Sequence, residues 1–489
     1  MRRRPGDRAL TVLVVTLAQF MAVMSTSVVS VALPTIGRDL HASSTSLEWI
    51  VDAYVIVFAS LLIAGGVLSD RRGRKGMFMV GVSLFGLGSL VAGVAPSVGW
   101  LLCGRVIQGL GPAVVTPTSL AIISATFDDP GSRAGAIGVW SSGSGLALAV
   151  GPAVGGLLVD SIGWRSVFLL NVPVALAVVL LAVRFIPVIP RSVSGAAFDW
   201  TGAFLTTAGV GVLTFGIIEG PSHGWGSGLI LGAFVVGFCA LAAFVAWERH
   251  HESPLIDVSL FSRVAFTVAN LAGLAVFFAF IGGIVYLSAY FQQVQGRSAL
   301  GAGLAVLPVG IGFFVGAPLS GRLVGRLGPR LPMVLGLLLC AAGMLGLVRL
   351  SPGSSIGSVW WDLAAVGLGG GLSLTPMTAT AMAAVRSQRA GMASAIHNSM
   401  RQVGQALGVA VLGSLVYAGV RGGAAGGGRL HGASASAFVD GLHRAVLVSG
   451  GCLLVAAALV VALIPSGLLA HAGRGAVADR PSGIELPPS

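Results

Sequence analysis

Acidic residues are scarce in this chain: 17 stand against 29 basic ones in 489 residues, and charges of both signs make up only 9% of the sequence. A soluble domain carries about 25% charged residues, so a water-facing surface of the ordinary kind is excluded for most of the length. Lysine is almost missing, with Lys75 the single example, and alanine and glycine are abundant, a pattern of high-GC bacterial coding. Cysteine is limited to Cys103, Cys239, Cys340 and Cys452, each inside an apolar run. That placement argues against a disulfide framework and against a metal cluster.

What fills the chain instead is apolar: 55% of residues are hydrophobic, enough for roughly fourteen spans of about 20 residues with short connections. The net charge of +12 would suggest a polyanionic partner in a soluble chain. Here the basic residues sit mostly between apolar runs, where the positive-inside bias of membrane proteins accounts for them and no nucleic acid is needed. Four arginines within residues 1–8 precede an apolar stretch longer than a signal-peptide core, which predicts a retained first span and an internal N-terminus. The expected spans are 10–33, 47–68, 77–95, 100–123, 134–160, 167–186, 201–218, 230–247, 264–291, 304–319, 331–350, 363–384, 392–420 and 442–464. On that count Arg38, Arg165, Arg297, Arg349, Arg421, Arg429 and Arg444 fall outside, Arg105 and Arg401 lie within spans, and the other basic residues are cytoplasmic. Both termini are then cytoplasmic, and the Gly, Pro and Ala-rich tail 465–489 is expected to be disordered.

The densest polar signal is Gly66-Val67-Leu68-Ser69-Asp70-Arg71-Arg72-Gly73-Arg74-Lys75, between the second and third spans. A positive-inside loop explains its basic residues but neither the acid nor the spaced glycines. A weaker copy, Gly321 to Arg330, follows the tenth span, with Gly325 where Asp70 stands in the first. A second echo pairs Gly109-Leu110-Gly111 and Thr116-Pro117 with Gly367-Leu368-Gly369 and Thr375-Pro376. Both echoes repeat at roughly 255 to 260 residues, the offset of two six-helix halves separated by two further helices. The expected organisation is 1–9 as a cytoplasmic N-terminus, 10–186 and 264–464 as the halves, and 187–263 as the inserted pair with its loops.

The pattern Gly-x-x-x-Asp-Arg-x-Gly-Arg-Lys resembles the loop between helices 2 and 3 of the major facilitator superfamily. Arg105-Val106-Ile107-Gln108-Gly109-Leu110-Gly111 is similar to that family's fourth-span motif. Gly143, Gly145 and Gly151-Pro152-Ala153-Val154-Gly155-Gly156 resemble its fifth-span motif, which is associated with antiporters. With Val31-Ala32-Leu33-Pro34, Trp49-Ile50-Val51-Asp52-Ala53-Tyr54, Gly163-Trp164-Arg165 and Asn171-Val172-Pro173, the chain resembles the fourteen-helix drug:proton antiporters (DHA2, QacA/EmrB-type). The resemblance implies an all-α polytopic fold and proton-driven export of amphipathic small molecules, antibiotics among them. It also implies a gate built from Gly66, Asp70, Arg71, Gly73, Arg74 and Lys75, with Asp70 bonded to Arg74 and docked near the start of the thirteenth span. A passive carrier or importer on the same fold stays open. A membrane enzyme is disfavoured, since no cluster of catalytic or metal-ligating side chains stands out, and no cofactor is expected.

Physical argument selects further residues. A charge inside an apolar helix costs about 2.5–3.5 kcal/mol even on insertion scales, so Arg105 should face a partner or a polar cavity. Asp52 is the one carboxylate well inside a span of the first half and lies at a similar depth, which makes the two the candidate proton-coupling groups. Asp70 suits the positive N-terminal end of a neighbouring helix. The family's usual first-span acid is replaced by Ser25, which carries no proton. His397, Arg401 and Gln405 recur at four-residue steps with Asn398 beside them, a polar stripe on one helix face. Gln19, Ser25, Tyr54, Gln108, Asn270, His397, Asn398 and Arg401 are the candidate cavity residues. The expected partners are a small-molecule substrate, protons and the bilayer of a bacterial plasma membrane, with the protein a monomer.

Overall fold

The structure, a computed structural model, describes residues 5–42, 44–189, 198–251, 255–256, 258–385, 389–420 and 429–465. The expected tail lies outside them. In lipid only closed hydrogen bonding within a helix satisfies a single apolar segment's backbone, and every expected span is helical. The elements are α1 (Pro5–Asp39), α2 (Ser44–Arg72), α3 (Arg74–Gly93), α4 (Val98–Thr126) and α5 (Pro130–Ser161). They continue with α6 (Arg165–Leu169), α7 (Asn171–Phe185), α8 (Trp200–His223), α9 (Gly228–His250) and α10 (Val264–Ala289). The last are α11 (Ala299–Leu327), α12 (Arg330–Gly346), α13 (Ile356–Ala383), α14 (Ala390–Tyr417) and α15 (Ala433–Leu463).

The sixth expected span appears as α6 followed directly by α7, and the ninth runs on from α10 into a π-helical turn, Tyr290–Val294. Among the described residues, eleven helical stretches are long and apolar enough to cross a membrane by length and composition. The long helices α5, α13 and α14, rich in glycine and polar residues, are not among them.

Two features differ from a picture of spans joined by loops. The charged stretch after the second span is mostly helix: α2 runs to Arg72 and α3 begins at Arg74, leaving Gly73 alone as the hinge. Its φ of 106° lies where only glycine sits without strain. The weaker copy turns the same way, at Gly328 with φ 75°.

One apolar core gathers residues from Val268 to Ile464 and so belongs to the second half. A second joins α1–α4 and α7 to Ala381 and Met382 of α13 and to Met392, Ala393, Ala395 and Ile396 of α14. It lies at the end of the bundle where α2 turns into α3, and it crosses from one half to the other. The core at the opposite end of the first half, around Trp164 and Phe168, takes residues from that half alone.

Helices α8 and α9 pack unequally. α8 lies against both α2 and α14: Trp49 meets Phe215 at 6.1 Å between ring centroids, and Ile217 packs with Ala406 and Ala410. α9 rests on α8, with Gly209 against Leu241 and Gly237 against Leu213. Asp199 caps α8 by accepting from Gly202 N at 2.8 Å, and Ser227 caps α9 by accepting from Ile230 N at 3.4 Å.

Candidate functional site

The α2–α3 hinge places a carboxylate against another helix's start. Asp70 and Arg74 are both buried; Arg74 Nε donates to Asp70 Oδ1 at 2.9 Å and Arg74 Nη1 donates to the carbonyl of Ala121 in α4 at 3.0 Å. On its other oxygen Asp70 accepts from Met392 N at 3.1 Å, in the first turn of α14. That backbone N–H has no partner within its own helix, and the positive end of the helix dipole favours a carboxylate there. One turn back on α2, Gly66 lets the helices touch: a Cβ there would stand 2.6 Å from both Gly391 O and Ala395 Cβ. Lys75 Nζ donates to Val183 O of α7 at 2.7 Å, and Arg71 lies over the ring of Phe198 at 5.7 Å.

The weaker copy forms a matching seam on the other side of the same end. A Cβ at Gly321 would stand 2.8 Å from Ala134 O of α5, and one at Gly325 would stand 3.4 Å from the Cα of Gly131. Where the first copy uses a carboxylate, the second brings two glycine backbones together. Gly138 against Ala317 and Gly145 against Phe313 continue the α5–α11 contact toward the middle of the bundle.

The fifth-span glycines therefore divide by partner. Gly143 packs on Thr16, Gly151 on Ser27 and Gly155 on Val28, all of α1, while Gly145 packs on α11. The side chain of Pro152 lies outside the described residues. Gly156 is set apart from the others, since a Cβ on it would meet nothing within 4 Å, whereas one on Gly155 would stand 3.1–3.3 Å from Val28. Gly155→Ala is expected to cost about 1–3 kcal/mol by overpacking. Gly156→Ala should be neutral, or stabilising by up to about 1 kcal/mol through helix propensity. Thermal unfolding of the two purified variants in detergent checks this, and equal shifts would remove the distinction.

Arg105 organises the interior of the first half. It is fully buried, with Nε donating to Ile50 O at 2.7 Å, and Nη1 donating to Gln108 Oε1 at 2.5 Å and to Ser25 Oγ at 3.3 Å. The guanidinium lies over the Tyr54 ring at 4.3 Å, and Tyr54 donates its hydroxyl proton to Ala22 O at 2.9 Å. Gln108 Nε2 donates onward to Ser89 Oγ of α3 at 2.7 Å. Asp52, half-buried, is within electrostatic reach of Arg105, whose Nη2 is buried without an acceptor. Thus α1, α2, α3 and α4 meet around one cation, and the residue in the first-span acid position, Ser25, touches it directly.

Nearer the middle, Gln19 accepts from Thr116 Oγ1 at 3.1 Å and donates to Ser144 Oγ at 3.4 Å, tying α1, α4 and α5 together. Sequence reasoning singled out Gln19 but not its hydroxyl partners. In the second half, Asn270 Nδ2 donates to Phe266 O at 2.8 Å, which directs Oδ1 to His397 Nδ1 at 3.2 Å and so places the ring proton there. His397 Nε2 meets Thr378 Oγ1 at 3.2 Å. One turn on, Arg401 Nη1 donates to Asn398 Oδ1 at 2.9 Å and the guanidinium lies over Phe277 at 4.1 Å. Phe277, Phe278 and Phe280 are buried packing residues of α10.

Comparison with known proteins decides what this arrangement belongs to. Residues 15–409 match the Major Facilitator Superfamily. This chain is a member of that family. Its relatives include the multidrug resistance protein Stp of Mycobacterium tuberculosis, 38% identical over 84% of this chain and 76% of the relative. The puromycin resistance protein pur8 of Streptomyces alboniger is 38% identical over 93% of this chain and 90% of its own. The tetracenomycin C resistance and export protein of Streptomyces glaucescens is 35% identical over 85% and 77%. Among solved structures the proton:xylose symporter XylE superposes with a TM-score of 0.66 at 16% identity, over 95% of this chain and 97% of that one. The human organic anion transporter MFSD10 gives the same TM-score and identity over 92% and 100%. At that identity the structural likeness establishes the fold alone. The protein is a multi-pass membrane transporter of small molecules and not an enzyme.

Proposed function

We propose that this transporter is a proton-coupled exporter of amphipathic small molecules, antibiotics among them. It is read as a monomer in a bacterial plasma membrane with both termini cytoplasmic. The observation that carries the reading is the nearly full-length likeness to proteins named for drug resistance and export. The geometry supports it. Halves 10–186 and 264–464 are joined at the α2–α3 end by Asp70 and by the glycine seams, and that end is read as the closed cytoplasmic gate. Opening it breaks a small set of discrete contacts, as a rocking exchange between two states requires. α8, resting on both α2 and α14, covers the side of the bundle where those two helices meet. Asp52 beside Arg105 is the proton carrier, because a carboxylate held near a buried cation can change charge while the cation stays.

Inverted membrane vesicles test the reading. Uptake of puromycin or of an amphipathic dye should need an acid interior and should stop when the proton gradient is collapsed. Equal uptake with the gradient collapsed would leave the passive carrier as the better description.

The same charges bear on selectivity. Asp362, the acid of the second half nearest the bundle interior, is bonded to Arg349 at 2.5 Å and so is already neutralised. Among the described residues the buried carboxylates Asp70, Asp199, Glu219 and Glu248 have partners of their own, so Asp52 is read as the carboxylate that meets a cation, and desolvating a dication in a low-dielectric cavity goes uncompensated. A monovalent cationic dye should be exported at least tenfold faster than a rigid divalent one of similar size. Equal rates would point to a second acidic partner.

A further inference from the structure

The second half holds a buried cation for which no acid among the described residues is a partner. Arg401 lies about 16 Å along α14 from Ala390, at a rise of 1.5 Å per residue, and is only 6% exposed. Its one hydrogen bond among the described residues is from Nη1 to Asn398. Nε is buried with no acceptor. Nε and Nη2 form the edge of a guanidinium that a carboxylate takes with two parallel hydrogen bonds. That edge is the one left unused.

Residues 264–464 contain just two acids, Asp362 and Asp440. The first is bonded to Arg349, and the second is exposed in the opening turns of α15. No carboxylate among the described residues lies within ion-pair distance of Arg401. The neighbouring His397 is held by Asn270 and Thr378 and supplies no negative charge. In the first half, by contrast, Arg105 has Asp52 within electrostatic reach. A buried cation without a counterion is costly. It persists in membrane helices where it serves a pathway or a ligand.

We propose that the missing counterion is the transported molecule. Arg401 anchors a single anionic group, a carboxylate or a comparably acidic phenol, on an amphiphile whose apolar body lies along the α10–α14 wall beside Phe277. This rests on the export reading and adds monoanionic amphiphiles to the substrate classes it covers.

The probes are 11-(dansylamino)undecanoic acid and its methyl ester, which differ in the negative charge and one methyl group. Equilibrium binding to the purified protein in nanodiscs, read by dansyl fluorescence, should favour the acid at least tenfold. In Arg401→Gln the ratio should fall to about one, and Arg401→Lys, which keeps the charge but not the two-bond edge, should recover only part of it. Equal affinity of the natural protein for the two probes would overturn the proposal whether or not the variants fold. A preference retained in Arg401→Gln would overturn it too. Gradient-driven uptake of both probes into inverted vesicles separates this inference from the one beneath it. If the acid binds preferentially but neither probe moves, the export reading fails and the anion site stands. If the ester is driven and the acid has no advantage, export stands and the anion site is wrong.

Discussion

Asp70→Asn is expected to abolish efflux while leaving the protein in the membrane. The substitution keeps an acceptor for Met392 N but removes the negative charge that faces the buried Arg74 guanidinium. Removing one member of a buried pair costs about 3–5 kcal/mol. Because the Met392 contact forms only when the halves meet, part of that cost falls on the closed gate alone. A loss of about 3 kcal/mol there shifts the closed-to-open ratio more than a hundredfold. Gly66→Leu should do the same by steric means, since even a Cβ at that position meets the Gly391 carbonyl at 2.6 Å. Gly73→Leu adds backbone strain of about 1–3 kcal/mol at a φ that glycine alone tolerates. Arg72, exposed at the end of α2, should accept substitution freely. Accessibility gives an independent reading: in a background free of native cysteines, Ala395→Cys should react with a maleimide from the cytoplasmic side far faster when Asp70→Asn is present. Equal tolerance at Asp70, Gly66, Gly73 and Arg72 would reduce the stretch to a topology signal.

Asp52→Asn should abolish gradient-driven efflux but retain exchange of substrate down its own gradient. The amide keeps the size and polarity of the side chain and removes the proton, so binding and gating survive while coupling does not. The dependence of efflux on external pH should flatten in the variant. The complementary change is Ser25→Asp. It places a carboxylate within hydrogen-bond reach of Arg105, whose Nη1 already donates to Ser25 Oγ and whose Nη2 lacks an acceptor. A second acid at that position should restore coupling to the Asp52→Asn protein at least in part. Full efflux from Asp52→Asn alone would remove Asp52 from the mechanism.

How far the sequence could carry these conclusions differs by feature. The spans were readable because lipid leaves an apolar segment no alternative to the helix. Their ends were not, because nothing in lipid energetics stops a helix at the hydrocarbon boundary: α1 runs Pro5–Asp39 against an expected 10–33, and α11 runs Ala299–Leu327 against 304–319. That Asp70 suits the N-terminus of a neighbouring helix follows from its charge, whereas Arg74 and the start of α14 as its partners are what the family resemblance implies. The hydroxyls of Thr116 and Ser144 that hold Gln19 could not, because serine and threonine are common in these helices and carry no charge or period. Nor could Gly155 be told from Gly156, adjacent and identical, until the course of α1 beside α5 was known. His397 and Asn270 stand 127 residues apart and meet only through the packing of α10 on α14. Arg401 announces itself as a charge in a span; that no acid among the described residues reaches its open edge follows only from the packing of the helices.

The central claim is that substrate leaves in exchange for protons, and the most direct test watches the protons. Purified protein is reconstituted into liposomes loaded with substrate, with a pH-sensitive dye inside, no imposed pH gradient and the membrane potential clamped. Substrate efflux on dilution should drive protons into the liposomes and acidify the interior, and Asp52→Asn should lose the signal while still releasing substrate. Substrate release by the natural protein with no change in internal pH would contradict the account.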